Sequence, residues 1–267
     1  MRAHSEGITV PLVCLLSNGD VVVVKYPRNP VGNQVLINEW IANKIANLMQ
    51  VPIPDFGCCY IDNEVSYGSA FYGQLQTGEL SFDDQNLGLS FFSKQVKKAV
   101  PMSTLFLPEM KNTNEFWNML IFDYIIGNVD RHRGNLLYSI ADSRFYAIDC
   151  SNILNSQRGW TEESLRKGIQ QCDYKDIHFL DKDQNGEIYE SFWPYARLNR
   201  VKLLQLGDEI QKTVTKEKVY QIINEIPNEW KRYITDDERK AVEDYINYRV
   251  DHINDICINI ANERGII

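Results

Sequence analysis

The stretch from Phe116 to Ile126 is apolar almost all the way round a helical wheel, interrupted only by Asn118 and Asp123. A helix without a solvent face has to be enclosed by other elements, so this one is expected at the centre of a lobe. It is too short to cross a bilayer. Both its ends are marked: Asn112 with Glu115 three residues on fits a capping box, and Gly127 fits the residue that closes a helix. A polar loop follows, and then two short strands, Leu136 to Ile140 and Phe145 to Ile148, joined across Ala141-Asp142-Ser143-Arg144 as a hairpin.

The first part of the chain has a different texture. Val10 to Leu16 and the β-branched run Val21 to Val24 flank a Ser17-Asn18-Gly19-Asp20 turn, which predicts a hairpin whose second strand ends at Lys25. A helix is expected from about Gln34 to Met49, with Ile37, Ile41, Ile45 and Leu48 on one stripe and Pro52 and Pro54 beyond its end. Phe56 to Ile61 and Ser69 to Leu75 read as further strands. This order makes residues 1–78 a small, β-rich α+β lobe, and residues 79–267 a larger, mostly helical one. The second lobe closes with a long helix opened by Thr235 with Glu238 at N3, carrying Val242, Ile246, Arg249, Ile253, Cys257 and Ile260 along one side.

Chemistry concentrates between Gly127 and Asp149. A buried helix ends, a loop presents Asp130 and Asn135, and a hairpin returns to Asp149. Phosphoryl transfer needs a group to orient an incoming hydroxyl and accept its proton, together with hard oxygen ligands for Mg²⁺ on the phosphates. Asp130 suits the first role, and Asn135 with Asp149 suits the second. The protein-kinase catalytic loop has its aspartate and asparagine at this same offset, with the metal aspartate after a short hairpin. The bland alternative is a solvated turn and an aspartate at a strand edge.

The string IIGNVDRHRGNLLY resembles the catalytic loop of HipA-like serine/threonine kinases, whose core pattern is G-x-x-D-x-H-x-x-N after an apolar helix. VVVVKYPRNPVGNQVLINEWIANKIANLMQVPIP and ITDDERKAVEDYINYRVDHI are similar to the strand lysine, helix and terminal helix of a compact HipA-like subfamily. The resemblance implies a two-lobed, protein-kinase-like fold using ATP and Mg²⁺. It makes Asp130 the catalytic base, has Asn135 and Asp149 hold the metal, and brings Lys25 onto the α- and β-phosphates. Glu39 would pair with Lys25, although it lies off the isoleucine stripe and reads equally as a surface glutamate. His132 either supports the loop or bonds a backbone carbonyl, with support preferred. Arg131 and Arg133 face phosphate or solvent. Two features depart from protein kinases: only Gly7 stands where a glycine-rich lid is expected, and Asp149 is followed by Cys150-Ser151-Asn152 without Phe-Gly.

Among 267 residues the formal net charge is −8, which offers no global attraction to nucleic acid or anionic lipid. Met1 to Gly7 lacks the apolar core of a signal segment, and the six cysteines include no C-x-x-C pair, so reduced thiols in a cytoplasmic protein are expected. Asp181 to Ile188 imitates the start of a calcium loop, but Phe192 occupies its twelfth position. A hairpin turning at Asn185-Gly186 is the preferred reading there. Trp193 and Tyr195 read as packing groups. The expected substrate is a protein of unknown identity, an antitoxin or regulatory protein is a possible partner, and Ser5, Thr9 and Ser69 are candidate self-phosphorylation sites. A lipid or small-molecule kinase and a nucleotide-binding pseudokinase are the alternatives.

Overall fold

The computed structural model describes residues 11–62, 86–155, 159–176 and 185–267. The first strands, β1 (Leu12–Leu15) and β2 (Val21–Lys25), pair antiparallel around a turn in which Gly19 takes a positive φ of 87°. Alternation along β2 buries Val22 and Val24 in a small outer cluster with Leu12, Tyr26 and Ile61. Lys25, one residue on, therefore points to the opposite face, towards α1 (Gln34–Leu48). β3 (Phe56–Ile61) and β4 (Gly88–Lys94) complete an antiparallel sheet in the order β1-β2-β4-β3, with Lys25 opposite Phe91. β4 falls in a part of the sequence that carried no reading. The expected strand Ser69 to Leu75 lies outside the described residues.

A second sheet, β5 (Ala99–Pro101), β6 (Leu136–Ser139) and β7 (Arg144–Ala147), is antiparallel in that order. It contains the expected hairpin, with β5 as an extra edge. The apolar helix is α2 (Phe116–Ile126), in which every residue except Asn118 is buried. Gly127 closes it at φ 59° and ψ 46°, and a Cβ there would lie 2.7 Å from the backbone nitrogen of Asn155. The entry differs from the capping box expected. Asn112 makes no backbone cap; its side chain accepts from the Phe145 N–H at 2.9 Å and donates to the Phe145 carbonyl at 3.0 Å. Asn112 thus fixes β7 against the start of the helix.

On α2 pack α4 (Asn185–Phe192), α5 (Arg200–Thr213), α7 (Asp236–Asp251) and α8 (Ile253–Glu263), while α3 (Glu162–Gln170) and α6 (Lys216–Asn224) lie against α7. Asn185 opens a helix rather than a hairpin turn, because Ile188, Tyr189 and Phe192 fall on one helical face and are all buried. Phe192 stacks on Phe116 with ring centroids 4.8 Å apart. Trp193 packs against Phe116 and Trp117, whereas Tyr195 is exposed and not a packing residue. The long terminal helix is two helices. Thr235 and Glu238 form the capping box of α7, but the chain breaks at His252, where Tyr174 stacks on the imidazole. The apolar stripe continues across the break, so periodicity could not reveal it.

The helical region also reaches back to the first sheet. Trp230 donates its indole N–H to the Leu89 carbonyl at 2.8 Å and meets Trp40 of α1 edge-on, while Lys44 of α1 pairs with Glu225 at 3.0 Å. This strap covers the back of α1. No helix among the described residues is long and apolar enough to cross a membrane.

Candidate active site

Lys25 ends β2 only 6% exposed, and all three of its donors are used. It forms a close ion pair with Glu39 Oε1, donates to Asp149 Oδ1 at 2.7 Å and donates to Ser151 Oγ at 2.6 Å. Glu39 is buried although it lies off the isoleucine stripe, because Lys25 and the Cys150–Ser151 segment lie against its side chain. Its Oε1 also accepts from the Cys150 N–H at 2.9 Å, and its Oε2 accepts from Asn43 at 3.0 Å.

One cation therefore faces two carboxylates. Burial raises the Glu39 carboxyl above its usual range, Lys25 opposes that rise, and the neighbouring Asp149 charge adds to it. For Asp149 burial also favours the neutral form, but the Lys25 charge and the hydrogen bonds from Lys25 and Ser151 prevail and hold it at about 2. Burial disfavours the charged form of Lys25 as well, and the two carboxylates outweigh it, so the ammonium is held more tightly than usual. The cluster carries surplus negative charge, which suits a divalent cation.

Asp149 follows β7 with φ at 55°, a left-handed conformation that a residue without special need avoids. The preceding Ile148 N–H donates to the Asn135 carbonyl at 3.0 Å, extending the β6–β7 ladder and bringing Asn135 and Asp149 to the same end of the hairpin. Their side-chain oxygens are hard donors of the kind Mg²⁺ takes. Asn135 in turn donates to the Asp130 carbonyl at 2.8 Å, and its amide is 3.4 Å from Asp130 Oδ2. The Asp130 N–H donates to Asn128 Oδ1 at 3.0 Å. The loop is cross-braced rather than free.

Arg131 faces neither phosphate nor solvent. It is fully buried, its Nε and Nη2 each donating to Asp123 at 3.0 Å, and its Nη1 donating to the carbonyls of Asn135 at 3.0 Å and Ile148 at 2.8 Å. One guanidinium thus ties α2, the loop and the hairpin together. Arg133 is on the surface, 3.9 Å from Glu187. His132 accepts the Gly134 N–H on Nδ1 at 2.9 Å, so its ring proton sits on Nε2, 3.7 Å from Asp130 Oδ1. That is a bond to a backbone amide, not to a carbonyl, and it shapes the loop. Gly7 and the candidate acceptors Ser5, Thr9 and Ser69 lie outside the described residues.

Sequence reasoning missed Ser151, Asn152 and the Arg131–Asp123 pair. The pair had a signal: an aspartate inside an otherwise apolar helix must find a cation or a donor set. Ser151 and Asn152 had none, being ordinary polar residues after a strand.

A family model described as HipA-like kinase matches residues 1–167. Among solved structures, the proinflammatory kinase CtkA of Helicobacter pylori superposes with a TM-score of 0.58 at 14% identity, covering 100% of this chain and 96% of that one. A chain of the Shewanella oneidensis MR-1 toxin–antitoxin complex of HipA, HipB and operator DNA gives a TM-score of 0.47 at 11% identity, covering 99% of this chain and 66% of that one. No curated protein matches the sequence.

Proposed function

The chain belongs to the HipA-like kinase family, and from that premise we propose that it transfers the γ-phosphate of Mg-ATP to a serine or threonine hydroxyl of a protein substrate. The observation that carries the proposal is the convergence of Lys25, Glu39, Asp149, Asn135 and Asp130 through one continuous set of hydrogen bonds. The N-terminal sheet and α1 supply the lysine and its partner, the helical region supplies the rest, and nucleotide would lie between them. The ATP-binding lobe in this reading extends beyond the expected boundary at residue 78 to take in β4, which pairs with β2 and β3, and the catalytic lobe follows it.

Asn135 and Asp149 would hold Mg²⁺, which supplies charge neutralisation at the transferring phosphate. Lys25 would exchange its bond to Ser151 for one to the α- and β-phosphates while Glu39 keeps it oriented. Asp130 would accept the proton of the substrate hydroxyl as its oxygen bonds to the γ-phosphorus; the bond from the γ-phosphorus to the bridging oxygen breaks and ADP leaves with the electron pair. His132 would support the loop beside the base, with its Nε2 3.7 Å from Asp130 Oδ1. A cytoplasmic setting and a regulatory protein partner of the antitoxin kind complete the proposal.

The test is label transfer from γ-labelled Mg-ATP to the protein itself and to a cell lysate, comparing wild type with Asp130→Asn and Asp149→Asn. Each substitution is expected to lower transfer by about 100-fold or more, the scale of losing a positioned base or a metal clamp. Wild-type protein that binds Mg-ATP but transfers no label would leave a binding module instead.

A further inference from the structure

The four residues Asp149 to Asn152 touch everything the reaction requires. On one side the Cys150 N–H donates to Glu39 at 2.9 Å, and Asn38 of α1 donates to the Ser151 carbonyl at 2.7 Å. On the other side the Asn152 amide donates to Asp130 Oδ2 at 2.9 Å. Among the described residues this is the shortest hydrogen bond to the Asp130 carboxylate, the amide of Asn135 standing farther off at 3.4 Å.

The backbone under Asn152 is fixed independently of that side chain. Its carbonyl accepts the Val129 N–H at 3.3 Å, the Leu154 N–H reaches the Ile126 carbonyl at 2.6 Å, and the Asn155 N–H reaches the Gly127 carbonyl at 2.8 Å. Residues 152–155 therefore run beside the end of α2 and the start of the catalytic loop, with Leu154 and Asn155 both at positive φ. The amide is held ready before any ligand arrives, which is how a supporting group keeps a reacting one in place. Oδ2 is held by Asn152, whereas His132 Nε2 stands 3.7 Å from Oδ1, which makes Oδ1 the more open oxygen for the incoming hydroxyl.

We propose that Asn152 is a positioning residue for phosphoryl transfer: its amide fixes the Asp130 carboxylate and joins the segment of the metal aspartate to the catalytic loop. The proposal rests on the kinase reading above. It predicts that the base is aimed correctly only while the Asp149 to Asn152 segment is docked on α1, so that the phosphate lysine, the metal ligand and the base come into place together.

The test compares Asn152→Ala, which removes the donor without adding charge, with Asn152→Gln, which keeps an amide on a longer stem. With Mg-ATP and ADP formation as the assay, Asn152→Ala is expected to lower kcat by about tenfold or more while KM for ATP and the melting temperature stay close to wild type. Asn152→Gln is expected to recover part of the lost kcat. A KM and melting temperature that move with kcat would indicate a merely structural residue and overturn the proposal, as would Asn152→Ala turning over like wild type. High-resolution crystal structures decide independently of turnover. Asp130 rotated away from its wild-type position in Asn152→Ala supports the assignment, and an unmoved carboxylate overturns it even if the wild type proves to be no kinase.

Discussion

Two of the buried ion clusters among the described residues, one built around Arg131 and the other around Lys25, are finished to different degrees. Arg131 is enclosed by partners that never need to leave: both oxygens of Asp123 and two main-chain carbonyls. Asp123 is equally saturated, accepting also from Asn128 and from the Tyr189 hydroxyl, each at 2.9 Å. The Lys25 cluster has three donors for two carboxylates and a hydroxyl, with Asp149 still 26% exposed in its side chain. The first closes its charge balance inside the protein; the second leaves negative charge in surplus beside solvent. The sealed cluster suits holding elements together, and the partly open one suits the exchange of partners proposed for Lys25.

Breaking each cluster should separate these roles. Arg131→Met leaves the Asp123 carboxylate buried without a cation, and is expected to cost about 3–5 kcal/mol of stability, the range for removing one partner of a buried pair. Urea unfolding measures it; a loss under 1 kcal/mol would mean that Asp123 is far less dependent on Arg131 than the geometry indicates. Lys25→Met should do less to the fold, since Glu39 can take up a proton and Asp149 is near water, with a cost of about 1–2 kcal/mol. Its main effect should fall on nucleotide. Calorimetric titration with Mg-ATP is expected to show affinity falling by tenfold or more, and unchanged binding would take Lys25 out of the site.

The sequence disclosed the two clusters unequally, for physical reasons. Lys25, Asp130, Asn135 and Asp149 were legible because each ends or follows a strongly patterned element, a valine strand, an apolar helix or a hairpin. Glu39 was half legible: one-sided amphipathicity put it outside, and only a distant segment of the chain, Cys150–Ser151, puts it inside. Arg131 could not be placed because a loop arginine looks the same whether it faces solvent or a buried aspartate. Element boundaries failed where side chains make non-local bonds, as Asn112 does to Phe145 in place of capping its own helix. The His252 break and the helix at Asn185 were hidden for a related reason: neither a continuous apolar stripe nor an Asn-Gly pair records what packs against it.

The smallest expected effect is the most specific to the open cluster, because its two carboxylates respond to pH with opposite sign. Asp149 is held at about 2, below its ordinary value of 3.8, so its stabilising contribution is complete above that ordinary value and disappears as pH falls through about 2. Glu39 is raised above its ordinary 4.5, so ionising it costs stability as pH rises, and acid relieves that cost. Removing the Lys25 cation abolishes the first contribution and increases the second. The difference in melting temperature between wild type and Lys25→Met should therefore be largest near neutral pH and shrink by several degrees between pH 4 and 2. Arg131→Met leaves the Lys25 pairings in place, so its deficit should not narrow on their account over the same window. If the Lys25→Met difference stayed constant from pH 6 to 2, the lysine would not be what depresses Asp149, and the contrast between an open and a sealed cluster would lose its electrostatic basis.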